Sequence, residues 1–165
     1  MKYLKLALIS AAIFGLLFFA MSLLFPSQVV VSRAVDISKG SNDIYKKLKD
    51  IKGWKGWISE LNNSAVMQIT DTSLRTASTS ILITAISQDK VISLWTNSTG
   101  SEQESTMRVI TAPSQPNTTT VQWQFVEQIS WYKPWEKFSS LVSDQILGTM
   151  MEQDLNNLKK VSEGN

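Results

Sequence analysis

Apolar residues run unbroken at the start of the chain and then break into short alternations. From Leu6 to Phe25 there are twenty residues without a charge, interrupted only by Ser10, Gly15 and Ser22. As a helix this run is roughly 30 Å long, the thickness of a bilayer's hydrocarbon core, so it predicts a transmembrane segment. Residues 1–26 are read as an N-terminal anchor and residues 27–165 as one folded domain. Two other readings compete. A buried core helix is usually shorter and rarely apolar all round. A cleaved signal peptide would use Lys2 and Lys5 as its basic region and the small residues of Ala20-Met21-Ser22 as its cleavage site. Against cleavage, the run continues through Leu23, Leu24 and Phe25 to Pro26 with no polar stretch between. Lys2, Lys5 and the α-amino group place the N-terminus in the cytoplasm and the domain on the extracytoplasmic side. Arg33 and the lysines after it weigh the other way.

Beyond the anchor the pattern changes to period two. Val29 to Ile37 reads VVVSRAVDI, a β-branched alternation that predicts a first strand. Ser38 to Asp43 is a turn with helix-capping residues, and Ile44, Leu48 and Ile51 give one face to a helix of about ten residues. Gly53 and Gly56 break it, leaving a short second helical turn that carries Trp54 and Trp57. Strands are expected over Ala65–Thr70, Thr76–Ser87, Lys90–Asn97, Ser105–Thr111 and Thr118–Ile129, as an antiparallel meander. In the last of these, Val121, Trp123 and Phe125 alternate with Gln122 and Gln124, so one face is buried and the other wet. A final helix from Pro134 to Val161 has the stripe Trp135, Phe138, Val142, Leu147, Met151, Leu155 and Leu158, which needs a concave sheet to lie on. The class is α+β.

Charge and composition narrow the chemistry. The 16 basic and 14 acidic residues leave a net charge of +2, and Lys2 and Lys5 account for that excess. A balanced domain does not neutralise many phosphates, which argues against nucleic acid as a partner. The chain has no cysteine and no histidine. Disulfides, thiolate nucleophiles, cysteine or histidine metal sites and triads with an imidazole base are therefore excluded. No metal and no cofactor is expected.

The order of strand, two short helices, meander and long C-terminal helix is that of the helix-grip fold. With it in place, Val31-Ser32-Arg33, Ile37, Ile44-Tyr45 and Trp54-Lys55-Gly56-Trp57 make the sequence resemble the START-like polyketide cyclase/dehydrase and lipid-transport superfamily (SRPBCC). Thr119 to Trp123, Trp131 to Trp135, Phe138, Gly148 and Leu155-Leu158-Lys159 extend that likeness to the C-terminus, and the membrane-anchored bacterial members are the nearest in character. The resemblance implies a curved antiparallel sheet wrapped around the long helix, and a hydrophobic cavity between them used by different members for lipids, sterols or aromatic polyketides. It also implies a bacterial inner-membrane location. The region Ser64–Ala77 lacks the glycine-rich hairpin and following tryptophan of many members, so one strand there is indistinct.

The candidate ligand-binding residues are Trp95, Trp123, Phe125, Phe138 and Met150, from strands or the gripped helix. Aromatic faces with an occasional N–H donor suit a flat or amphipathic ligand. Trp54 and Trp57 read instead as a plug between short helix and sheet, and Trp131 and Trp135 as staples of the long helix. No catalytic set emerges: Tyr45, Tyr132, Glu127, Arg33 and Asp144 are the available acid/base groups, and no pair is spaced to cooperate. Glu127 continues the Trp123/Phe125 face, and Arg33 the Val31/Val35 face, each either inward or at a rim. The lysines from Lys39 to Lys55 form either a solvated helix face or a patch for anionic headgroups. The expected function is a membrane-anchored binding domain for a hydrophobic small molecule or lipid. A scaffold with a filled core and a cyclase- or dehydratase-like enzyme are the alternatives. The expected partners are the bilayer and that ligand, and no protein partner is assigned.

Overall fold

A computed structural model describes residues 2–24, 27–112, 114, 117–129 and 134–164, the side chains of residue 63 and residues 134–144 excepted. In chain order the elements are α1 (Lys2–Ser22), β1 (Gln28–Ile37), α2 (Ser41–Lys49), a 3-10 helix (Ile51–Gly56) and α3 (Ser59–Asn63). The meander β2 (Val66–Ile69), β3 (Ser73–Thr76), β4 (Thr79–Ile86), β5 (Lys90–Asn97), β6 (Glu102–Thr111) and β7 (Thr119–Gln128) follows, then α4 (Pro134–Glu163). The strands form one antiparallel sheet in the order β1-β7-β6-β5-β4-β3-β2, gripped by the C-terminal helix. This is the helix-grip fold.

Most expected elements appear within a few residues of their anticipated ends. The expected strand Thr76–Ser87 is β4, starting at Thr79, and an unanticipated strand, β3, ends at Thr76, because the Thr76 hydroxyl accepts the backbone N–H groups of Ser78 and Thr79 and closes a turn there. The Thr70 hydroxyl accepts the N–H groups of Thr72 and Ser73 in the same way and sets off the short β3. No glycine or proline marks either turn. α2 starts at Ser41, with Gly40 as its N-cap and no side-chain cap, so Asp43 sits in its first turn. Trp54 lies in the 3-10 helix and Trp57 just after it, and α3 is an additional turn of helix.

The strand period sorts the sheet into two faces. Register places Val31, Phe125, Ser105, Ser93 and Ile83 in one inner row, and Val29, Glu127, Gln103, Trp95, Ile81 and Leu74 in the next row toward the start of β1. The inner face packs against α2, the 3-10 helix, α3 and α4 through Ile44, Leu48, Ile51, Trp54, Trp57, Met151, Leu155 and Leu158, all buried. The outer face is mostly polar, as the Gln122/Gln124 alternation requires.

α4 lies along β1 and points the same way. Arg33 Nε donates to Glu152 Oε1 at 2.7 Å, and five residues on, the Ser38 N–H donates to Glu163 Oε1 at 2.8 Å. A Cβ at Gly148 would fall 2.1 Å from Arg33 Nη2, so glycine is what lets the helix cross the guanidinium here. The N-terminal half of α4 therefore reaches toward the start of β1, and α4 and α1 are in contact. α1 is long and apolar enough to cross a membrane, and its apolar side chains are exposed on every side. Of the expected stripe, Met151, Leu155 and Leu158 are buried and Leu147 half-buried. The side chains of Trp135, Phe138 and Val142, and residues Trp131, Tyr132 and Pro26, lie outside the described set.

Candidate functional site

Five aromatic rings occupy the concave side of the sheet. Trp54 stacks on Trp95 at 6.3 Å between centroids, Trp57 meets Trp123 edge-on at 5.7 Å, and Phe125 lies 5.3 Å from both Trp95 and Trp123. Small polar residues in the intervening inner rows make this possible. Trp95 Nε1 donates to Ser93 Oγ at 3.0 Å and Trp123 Nε1 to Ser105 Oγ at 2.8 Å, so each serine leaves room for an indole and satisfies its N–H. Trp54 Nε1 donates to the Leu48 carbonyl at 2.9 Å, which ties the 3-10 helix back to α2. The reading of Trp54 and Trp57 as a plug describes their place in the structure.

Beside this cluster, under α4, is a cleft of about 90 Å³ lined by Ile58, Glu60, Trp95, Gln103, Trp123, Phe125, Leu147, Met150, Met151 and Asp154. Four of the five sequence candidates, Trp95, Trp123, Phe125 and Met150, meet around it, and the Phe138 side chain lies outside the described set. Met150 is 41% exposed and stands at the mouth, whereas its neighbour Met151 is 1% exposed and faces the core. Trp95 and Gln103 share a row with Val29, the second residue of β1, and Phe125 and Trp123 pair with Val31 and Arg33, so the cleft spans the half of β1 that follows α1 in the chain.

Sequence reasoning missed the two carboxyl groups of this cleft. Asp154, 3% exposed on α4, accepts the Ser59 N–H at 2.9 Å and the Ser59 hydroxyl at 2.6 Å, both at Oδ1. Asp154 thus satisfies the first free N–H of α3 across 95 residues of sequence. Among the described residues, Oδ2 has no hydrogen-bond or ion-pair partner. Glu60, one residue into α3, accepts from the Thr79 hydroxyl at Oε1. Among the described residues, no lysine or arginine lines the cleft. Burial raises the Asp154 pKa above the ordinary carboxylate value, the Ser59 hydrogen bonds oppose the rise, and the charge of Glu60 adds to it.

The groups named from sequence as possible acids or bases are elsewhere. Arg33 points to the inner face but is held by Glu152, and Glu127 is half-buried at the end of the Trp95 row. Tyr45 packs against the core with Lys49 4.6 Å over its ring. The Asp144 side chain and Tyr132 lie outside the described residues. The lysine-bearing α2 follows the far end of β1, about 30 Å of strand from the end that follows α1. Lys52 is paired there with Asp71 at 2.7 Å.

No family model matches the chain, and no curated protein matches it. Solved structures do. An uncharacterised protein from Bacillus thuringiensis superposes with a TM-score of 0.62 at 11% identity, over 81% of this chain and 98% of that one. A START superfamily protein from Mycobacterium smegmatis has a TM-score of 0.52 at 14% identity, over 82% and 94%. Norcoclaurine synthase from Thalictrum flavum has a TM-score of 0.58 at 10% identity, over 81% and 92%. At these identities the likeness is one of fold, and it is the fold the sequence resemblance implies.

Proposed function

We propose that this chain is a single-pass, membrane-anchored binding domain that receives part of a hydrophobic small molecule or lipid in the cleft between its sheet and α4. The anchor is residues 1–26, and the domain from residue 27 onward faces the extracytoplasmic side of a bacterial inner membrane. The observation that carries the reading is the convergence of Trp95, Trp123, Phe125 and Met150 on one cleft that is open at Met150. Aromatic and thioether groups adapt to apolar ligands, and clefts between packed layers are where small molecules commonly bind. About 90 Å³ is far below the ~300–1,000 Å³ of a drug-sized pocket, so only the recognition end of the ligand enters. The rest lies toward α1 and the bilayer, since the cleft spans the half of β1 that follows α1 and α4 meets α1.

Native mass spectrometry of the full chain, taken from membranes into a neutral detergent, tests this. A bound small molecule or lipid at one per chain is expected, lost when Leu147→Trp fills the cleft. Protein that is empty in every preparation contradicts it. One observation favours a second reading, a cyclase- or dehydratase-like catalyst: Glu60 and Asp154 both face the cleft. In that case the bound molecule is recovered chemically altered from wild type and unaltered from Glu60→Gln.

A further inference from the structure

Two carboxyl groups in an apolar cleft with no cation among the described lining residues are an unusual arrangement. Removing a carboxylate from water is costly unless an opposite charge or hydrogen bonds compensate it. Arg33, another charge on the inner face, has Glu152 as a counterion, but Asp154 and Glu60 have no cationic partner among the described residues. Each is bonded through one oxygen to Ser59 or Thr79, which fixes its position and leaves its second oxygen unused. Opposite them stand the rings of Trp95, Trp123 and Phe125 and the thioether of Met150. Aromatic faces attract ammonium groups, indole most strongly, and carboxylates complete such a cage electrostatically. A volume of about 90 Å³ admits a small ammonium head but not a drug-sized ligand, which needs ~300 Å³ or more.

We infer that the cleft takes the ammonium group of a phospholipid head, held between the Trp95/Trp123/Phe125 rings and the Glu60/Asp154 carboxylates. This rests on the cleft being the ligand site and adds the charge of what enters it. The lipid source follows from position. The rows that line the cleft run from Val29 to Arg33 of β1, and β1 begins six residues after the last residue of α1, so a headgroup entering from the α1 side reaches the rings while its tails stay in the bilayer.

The test uses the full chain in neutral maltoside micelles, following tryptophan fluorescence during titration with choline, ethanolamine and 3,3-dimethylbutan-1-ol, the uncharged isostere of choline. Saturable responses to the two ammonium compounds are expected, with the isostere at least about tenfold weaker. Glu60→Gln, which keeps an acceptor for Thr79, weakens ammonium binding about tenfold at unchanged melting temperature, and Glu152→Gln does not. Equal affinity for choline and its isostere, or no loss in both Glu60→Gln and Asp154→Asn, overturns the ammonium assignment. If the isostere still binds, the hydrophobic-ligand reading stands without it. If nothing binds and the protein is empty by mass spectrometry, both fall. Nanodiscs identify the source: phosphatidylethanolamine discs suppress the choline response and phosphatidylglycerol discs do not. Equal choline affinity in both discs assigns the site to a soluble amine and overturns the lipid part.

Discussion

Trp54 and Trp95 stack on one another, yet their surroundings differ. On the Trp54 side the neighbours are Ile44, Leu48, Ile51, Leu61 and Leu74, every one of them fully or almost fully buried, and the indole N–H ends on a backbone carbonyl. On the Trp95 side the neighbours are Met150, Gln103, Glu60 and Asp154, and space is left over. A tryptophan is therefore neither core nor site by type. What decides is whether the elements facing it supply apolar volume enough to close on it, as α2 and the 3-10 helix do. α4 instead supplies a flexible thioether and a carboxyl.

The comparison can be broken in order of effect. Trp54→Ala removes a fully buried ring with no room for relaxation and should cost about 3–5 kcal/mol, a large part of a small domain's ~5–15 kcal/mol. Chemical denaturation measures this, and a loss below about 1 kcal/mol would mean the plug is loosely packed.

The next effect is a pH dependence from Asp154. Its folded pKa is raised, so between the ordinary carboxylate value and the raised one the native state holds a proton that the unfolded state has released. The stability this group contributes is full below the ordinary value and is lost as pH rises through the raised one. Melting temperatures of wild type and Asp154→Asn should agree in acid and separate in favour of the variant as pH rises. A gap that stays constant with pH contradicts the assignment.

Met150→Ala trims a side chain at the mouth and should cost about 1 kcal/mol or less in stability while weakening ligand retention in native mass spectra. Smallest is Glu152→Ala, which removes the partly exposed Arg33–Glu152 pair and should cost ~0.2–1 kcal/mol, decreasing in high salt.

The sequence shows the frame of this fold more clearly than its site. Strict alternation in Val29–Ile37 and in Val121–Phe125 places the inner face correctly, because side-chain direction along a strand is local. The spacing of Met151, Leu155 and Leu158 likewise identifies the gripping face of α4. The turn at Ala77-Ser78 is hidden because hydroxyl side chains close it where glycine would ordinarily signal it. The pairing of Glu60 with Asp154 is hidden for a deeper reason. It depends on how α3 and α4 come together across the sheet, and each acid alone looks like an ordinary polar residue of an amphipathic helix. Its only trace is that Asp154 directly precedes Leu155 on the buried stripe, where a carboxyl is costly.

Photocrosslinking in intact membranes, with a photoreactive residue placed either at position 150 or at position 161, tests whether the cleft beside α4 holds a ligand. Met150 and Val161 lie on the same helix and are 41% and 46% exposed, so they differ in facing the cleft mouth rather than in accessibility. The account predicts a lipid or small-molecule adduct from position 150 and little from position 161. Equal yields from the two, or adducts only to protein from position 150, would contradict a ligand site at this cleft.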